Sequence, residues 1–110
     1  MKVQKRTIKF PRAPVDGVEV DMPVCDLTGN PMRTPRSYLA EALQAVRIEA
    51  SRAARCRDLA IKLHAGDEPE VELDKSDFEL IKTAVNFAGS NIWPAWITAH
   101  VLDVLESATG

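Results

Sequence analysis

The stretch from Leu73 to Phe78 (LDKSDF) constrains the fold of this chain most, because it is a helix-start signal between two unlike halves. Asp74 stands where its carboxylate can accept hydrogen bonds from the amides of a first helical turn, and Asp77 follows three positions later. Leu73 and Phe78 occupy the two positions that close an apolar clamp around the start of a helix. We therefore expect a helix to begin at Asp74 and to bury Leu73 and Phe78.

The two sides of this signal carry opposite charge. Residues 1–64 contain 12 Lys and Arg against 7 Asp and Glu, whereas residues 65–110 contain 2 against 9. Charges of +5 and −7 can pair within one molecule, the interpretation we favour, or join copies of the chain head to tail. With 110 residues, of which 45% are apolar, the chain is typical of one globular domain with its own core.

The first 33 residues are predicted to be extended. Four prolines, at positions 11, 14, 23 and 31, disfavour a helix there, and apolar residues alternate with polar ones. The pair Asp16-Gly17 is typical of a two-residue hairpin turn, and residues 26–31 indicate a second turn. Residues 1–33 are therefore predicted to form an extended basic arm or a β-hairpin. Since its first part offers only Val3, Ile8 and Phe10 to a core, we expect removal of residues 1–12 to cost much less stability than truncation of the buried Phe78 to alanine.

Residues 34–110 are predicted to be a helical region of the same single domain. Thr34 is typical of a helix cap and Pro35 of a first helical position. Apolar residues then recur at helical spacing over residues 35–64, without an intervening glycine or proline. This stretch can form one long helix, or two helices with a break at which Ser51 caps the second.

Two further helices are predicted in the C-terminal part. The helix that begins at Asp74 is expected to end at Gly89, and Pro94 is expected to start the last helix. A short extended piece is indicated at residues 71–73, just before the first of them. The predicted fold class is α+β, mainly α, with a short N-terminal β-hairpin or extended arm followed by three to four helices.

Few residues of this chain are suited to catalysis or to metal binding. No two of His64, His100, Cys25 and Cys56 stand at the spacing that zinc sites use. The five glycines are isolated from one another, so no phosphate-binding loop is present. No apolar run is long enough to span a bilayer. We predict a protein that is not an enzyme and that takes no metal, cofactor or small-molecule ligand.

Cationic and aromatic residues are the candidates for contact with a partner. An extended basic arm can lie against nucleic acid or against an acidic neighbouring subunit. Arginines on a helix can form a phosphate-facing stripe, or can be solvated and paired within the molecule. Two tryptophans that flank a helix start can pack in the core, which we favour, or form an exposed binding hot spot. These candidates are Lys5, Arg6, Lys9, Arg12, Arg52, Arg55, Trp93 and Trp96.

Several short stretches resemble a group of small proteins encoded in tailed-phage and prophage genomes. They are DLTGNP at residues 26–31, LAEAL at 39–43, RDLAIK at 57–62, VEL at 71–73 and DFELIK at 77–82. The resemblance extends over residues 24–106. Residues 6–22 are in addition similar to the start of some phage tail assembly chaperones. The resemblance implies a phage context and a non-enzymatic role.

We therefore expect a phage-type virion or assembly protein that acts through protein–protein contacts. It would bind a protein partner or associate with itself, in the cytoplasm of the bacterial host or as part of a virion. The alternative is a small phage-encoded inhibitor or modulator that binds a host protein. Nucleic-acid binding is the least expected function, because the net charge is −2 and the second half is acidic.

Overall fold

The computed structural model describes residues 5–109, and it confirms the predicted fold class, α+β and mainly α. Strands occupy the N-terminal part, and one more strand lies between the second and third helices. The elements of the described chain are β1 (Lys5–Lys9), β2 (Arg12–Val15), β3 (Val18–Asp21), α1 (Pro35–Ala45), α2 (Ala50–Ala65), β4 (Glu70–Asp74), α3 (Lys75–Asn91) and α4 (Ala95–Glu106). Residues 1–4 of the predicted arm, and residue 110, lie outside the described range.

Strand β1 joins the basic N-terminal part of the chain to its acidic second half. It pairs antiparallel with β4, which is the extended piece predicted before α3. Lys5 Nζ lies 3.5 Å from an Oε atom of Glu72 and 3.6 Å from an Oδ atom of Asp74. The oppositely charged halves therefore contact each other within one molecule at this sheet.

The part of the arm that forms β1 belongs to the core. Ile8 is fully buried and Phe10 nearly so. Beside β4, Thr7 also exchanges two backbone hydrogen bonds with Thr109, of 2.7 and 3.0 Å. The burial of Ile8 and Phe10 speaks against a small effect of removing residues 1–12 on stability, because these two side chains fill part of the core.

The predicted hairpin forms at the predicted turn. β2 pairs antiparallel with β3, and the two residues between them, Asp16 and Gly17, have φ angles of 51° and 81°. Positive φ at both central positions matches the twist of the flanking strands. The second turn is also present, since Asp26 accepts hydrogen bonds of 2.9 Å from the amides of Thr28 and Asn30.

Residues 35–64 form two helices rather than one. Thr34 caps α1 as predicted, and its Oγ1 accepts a hydrogen bond of 3.2 Å from the amide of Ser37. Glu49 precedes α2 at the N-cap position, so the break lies before Ser51 and that serine does not cap the helix. Four residues, 46–49, therefore form the bend between α1 and α2.

Helix α3 begins where the sequence predicts it, but not by the predicted capping bond. Asp74 holds the N-cap position without a side-chain hydrogen bond to the helix. Its carboxylate lies beside Lys5 instead. Leu73 and Phe78 are both buried, as expected. The start of α3 thus has the predicted pair of buried apolar residues, Leu73 and Phe78, but lacks the predicted hydrogen bond to the carboxylate of Asp74.

The predicted end of α3 at Gly89 is wrong, since the helix continues to Asn91. Gly89 lies close to α4, where a Cβ atom added to it would be only 2.7 Å from Cγ2 of Thr98. This glycine therefore serves close approach of two helices and does not terminate one. Pro94 holds the N-cap position of α4, one residue before the helix.

The core lies among the four helices and is closed by β1 and β4. Its largest fully buried side chains come from β1, α1, α2, α3 and α4, namely Ile8, Leu39, Leu59, Leu63, Ile81, Val85 and Val101. Within residues 5–109, no helix has both the length and the apolar character that crossing a membrane requires.

Candidate functional site

The β2–β3 hairpin presents an apolar face to solvent. The cross-strand pairs Ala13–Val20 and Val15–Val18 lie on one side of the two strands, and Met22 continues the alternation. Val18 is 62% exposed, and Val15, Val20 and Met22 are exposed as well. We call these five residues the valine face. It is the reverse of an ordinary hairpin, in which the apolar side faces the core.

The opposite face of the hairpin is charged and is bound to the domain. Asp21 accepts a hydrogen bond of 3.1 Å from Arg12 across the hairpin and one of 2.8 Å from Arg36 of α1. The side chain of Arg36 is 5% exposed, and its guanidinium carbon lies 4.2 Å from the centre of the Phe10 ring. A buried guanidinium needs such a counter-ion. This requirement draws the polar face inward and leaves the valine face outside.

Backbone carbonyl groups complete the attachment of the hairpin. Arg12 donates to the carbonyl oxygen of Glu19, at 2.7 Å, and to that of Asp67 in the loop before β4. Arg36 donates to the carbonyl oxygen of Glu68 in the same loop. The two arginines therefore tie the hairpin to α1 and to the α2–β4 loop, which fixes the direction of the valine face.

The two edges of the hairpin differ in their capacity to bind another strand. The amide of Met22 donates to the carbonyl of Pro11, at 2.8 Å, and thus points toward β2. Because the backbone groups of successive residues in an antiparallel strand point to alternate sides, those of Glu19 and Asp21 point away from β2. The residue of β2 opposite Glu19 is Pro14, which has no N–H. The outer edge of β3 therefore offers donors and acceptors, whereas the outer edge of β2 is interrupted.

A groove of about 400 Å³ follows β3 and carries negative charge. All four residues of β3 line it, together with Arg12, Thr34, Gly66 and Asp67. The charge of Arg12 is engaged by Asp21. Glu19 and Asp67 are exposed, and neither carboxylate forms an ion pair within residues 5–109. The groove thus combines an open strand edge with uncompensated carboxylates.

The cationic candidates of the arm do not form one free basic patch. Lys5 lies beside acidic residues of β4, and Lys9 is exposed opposite Glu70. Arg6 is half-buried on β1, and Arg12 holds the hairpin. Most of these side chains therefore serve contacts within the molecule.

The arginines of α2 are also engaged within the molecule. Arg55 donates from Nε to Asp77 at 2.8 Å and from a second nitrogen to the other carboxylate oxygen. The hydrogen bonds from Arg55, together with its charge, hold the pKa of Asp77 below its ordinary value, although burial of the carboxylate opposes this. Arg52 lies 3.8 Å from Glu49. These contacts link α2 to α3 and to its own N-terminus.

The tryptophans do not form an exposed pair. Trp93 is 7% exposed, donates its indole N–H to Glu41 at 2.7 Å and packs edge-on against Tyr38. Partial burial opposes ionisation of Glu41, but hydrogen bonds from Trp93 and Arg33 outweigh it and lower the pKa of Glu41. Trp96 is half-buried against the core. Trp93 is therefore a core residue rather than a contact residue.

An open cavity of about 590 Å³ at the bend between α1 and α2 has no catalytic arrangement. Its lining includes the buried thiol of Cys56 and the exposed Arg47 and Arg57, but neither a carboxylate nor a histidine. Burial raises the pKa of Cys56, so this thiol is protonated at neutral pH. In the part of the chain that the structure describes, no three His, Cys, Asp or Glu side chains are grouped as metal ligands.

The valine face was not recognised from the sequence, although a signal for it was present. Val18 and Val20 alternate with Glu19 and Asp21, and such a pattern alone does not tell which side faces the core. Arg12 stands opposite Asp21 on the neighbouring strand. This pair was the available signal, because it places an Arg–Asp ion pair on the face opposite the valines, and such a pair can bind the rest of the domain.

The chain matches no protein-family model, no curated protein and no solved structure. The resemblance to small phage proteins therefore rests on the quoted stretches alone.

Proposed function

We propose that this protein is a non-enzymatic assembly protein of the phage type that acts through protein–protein contacts, in the host cytoplasm or within a virion. The valine face is the observation that carries the proposal. Apolar surface in water costs about 25 cal/mol for each Å², and contiguous apolar patches on a monomer are typical of interaction sites. A partner that covers this face would recover that free energy.

The attachment of the hairpin supports the same proposal. Arg12 and Arg36 hold its polar face through Asp21, so the valine face is fixed before any partner arrives. A preorganised surface binds with a smaller loss of conformational entropy than a mobile one. The phage setting is supported by the sequence resemblance over residues 24–106.

Light scattering during size-exclusion chromatography tests the proposal. The purified chain is measured alone and mixed with purified capsid and tail proteins of tailed phages. We expect it to form a complex with one of them or with itself. A chain that stays strictly monomeric at high concentration and joins none of these proteins would contradict the proposal.

A matched pair of variants assigns the contact to the valine face. Val18→Lys places a charge on that face, whereas Ile61→Lys alters a residue of α2 that is exposed to a similar extent, 59%. We expect Val18→Lys to prevent the complex and Ile61→Lys to preserve it. Equal behaviour of the two variants would remove the valine face from the proposal.

A further inference from the structure

We propose that the outer edge of β3 binds an extended segment of another protein, in which basic and apolar residues alternate, as an added strand. The inference rests on the proposed function, for which it names the mode of contact and the chemistry of the partner. It is carried by the open edge of β3, the groove along it and the charge of that groove.

The hydrogen-bonding groups of the edge indicate an added strand. The outward backbone groups of Glu19 and Asp21 can donate and accept in the spacing of a β-ladder. Within residues 5–109, the carbonyl of Glu19 already accepts a bond from Arg12, whereas that of Asp21 accepts none. Proline at position 14 interrupts the other edge of the hairpin. Strand addition at an open edge is a recurrent mode of peptide recognition, in which main-chain bonds give affinity.

The side chains along the edge determine what the partner segment carries. On one side of the hairpin, an added strand would extend the valine face, so its side chains there are expected to be apolar. On the other side it would meet the exposed carboxylates of Glu19 and Asp67. Lysine or arginine at alternate positions complements these charges.

The same charges disfavour a second copy of this chain as the occupant. Antiparallel pairing of β3 with β3 of another copy would bring Glu19, whose carboxylate has no ion-pair partner within residues 5–109, close to the same carboxylate of the other copy. Like charges directly opposite each other destabilise a strand pair. The outer edge of β3 therefore fits a partner of different sequence, and the valine face can contact further residues of that partner.

Titration with a synthetic peptide tests this inference on the intact protein. The probe is the acetylated hexapeptide KVKVKV, and the control is EVEVEV. Binding is followed through the amide resonances of Glu19 and Asp21 in ¹⁵N-labelled protein. We expect KVKVKV to shift both resonances and to bind at least ten-fold more tightly than EVEVEV. Equal shifts with both peptides, or none, would overturn the proposal.

Two variants separate the backbone contribution from the charge. Glu19→Pro removes an outward N–H without removing a bond between β2 and β3, and we expect at least ten-fold weaker binding of KVKVKV. Glu19→Gln keeps the N–H, so binding should weaken several-fold and depend less on salt. Unchanged affinity in Glu19→Pro, with the fold intact by circular dichroism, would exclude strand addition.

A modified peptide gives the same information without any change to the protein. N-methylation of KVKVKV at the amides that face β3 should abolish binding, whereas methylation at the alternate amides should not. If both methylated peptides bind alike, the added strand is excluded.

The assembly partner separates a failure of this inference from a failure of the proposed function. A partner complex that is lost in Val18→Lys but kept in Glu19→Pro would preserve the function and reject the strand edge. Self-association that Glu19→Pro abolishes would instead assign the edge to a second copy and overturn the choice of a foreign partner.

Discussion

Glu41 of α1 accepts the indole N–H of Trp93 at 2.7 Å and thereby joins the first helix to the segment before α4. The indole is almost fully buried, so its N–H loses its acceptor in a largely enclosed position if Glu41 is truncated. A buried donor without a partner costs about 1–3 kcal/mol. We expect Glu41→Ala to lower the free energy of unfolding by this amount, as measured by urea denaturation.

Two controls isolate this bond from general effects of substitution. Glu79→Ala removes an exposed glutamate of α3 and should change stability by less than about 0.5 kcal/mol. In a Trp93→Phe background, Glu41→Ala should cost clearly less, because no indole N–H remains to be satisfied. An equal cost in both backgrounds would contradict a stabilising role of this hydrogen bond.

Ile8 should contribute to stability as a core residue in spite of its place in the basic arm. It is fully buried in β1, and truncation of a buried isoleucine to alanine costs about 2–5 kcal/mol. Phe78→Ala in α3 should cost a similar amount, about 3–5 kcal/mol. Thermal unfolding monitored by circular dichroism measures both. If Ile8→Ala melts like Lys9→Ala, a change at an exposed position of the same strand, β1 is not part of the core.

Acid should weaken the contact between Arg55 and Asp77. The pKa of Asp77 lies below its ordinary value of 3.8 in the folded protein, so this contact stabilises the fold fully above about pH 4 to 5. That stability is lost as the pH falls through the lowered pKa, because the unfolded chain takes up the proton first. Asp77→Asn should therefore destabilise the protein at pH 7 and flatten the decrease in melting temperature between pH 5 and 2.

Asp58→Asn is the control for this pH dependence, since it removes an exposed carboxylate of α2 beside Arg57. Its melting temperature should follow that of the parent protein at every pH. A parallel decrease for Asp77→Asn and the parent would mean that the Arg55–Asp77 contact does not contribute to acid stability.

Gly89→Ala should destabilise the protein although alanine favours helices. The new methyl group would lie 2.7 Å from Cγ2 of Thr98, and overpacking of this kind costs about 1–3 kcal/mol. Ser90→Ala, one residue further and exposed, should be neutral or slightly stabilising. Urea denaturation of both variants gives the comparison.

The double variant Gly89→Ala/Thr98→Ala tests the cause. Removal of the threonine methyl frees the space that the new alanine methyl needs. The free energy of unfolding of the double variant should therefore equal that of Thr98→Ala or exceed it by up to about 1 kcal/mol, because alanine favours a helix more than glycine does. A double variant that is as unstable as the sum of the single changes would place the cost elsewhere.

Local signals predicted the parts of this fold that depend on neighbouring residues. The Asp16-Gly17 turn and the Thr34 cap act within a few positions, so the sequence sufficed for them. The pairing of β1 with β4 joins residues more than sixty positions apart, and no local pattern contains that information. The sequence predicts a helix end at Gly89, because a glycine that allows a neighbouring helix to approach cannot be distinguished by sequence alone from a glycine that ends a helix.

The candidate site was harder to predict for a related reason. Cationic residues were singled out as contact residues, yet most of them balance charges within the molecule, as Arg12 and Arg55 do. The exposure of the valines could not be predicted, because an alternation of apolar and polar residues does not tell which face of a strand meets the core. The long-range contacts of Arg12 and Arg36, which hold Asp21 against the domain, accompany the exposure of the valine face.

The pairing of Thr7 with Thr109 has a consequence for synthesis on the ribosome. Strand β1 leaves the exit tunnel before the other described elements, β4 emerges some sixty residues later and Thr109 later still. Until then Ile8 and Phe10 lack the complete core that buries them, and β1 has no partner strand. The helices can fold on one another as they emerge, so β1 is expected to join the native structure after elements that follow it in the chain.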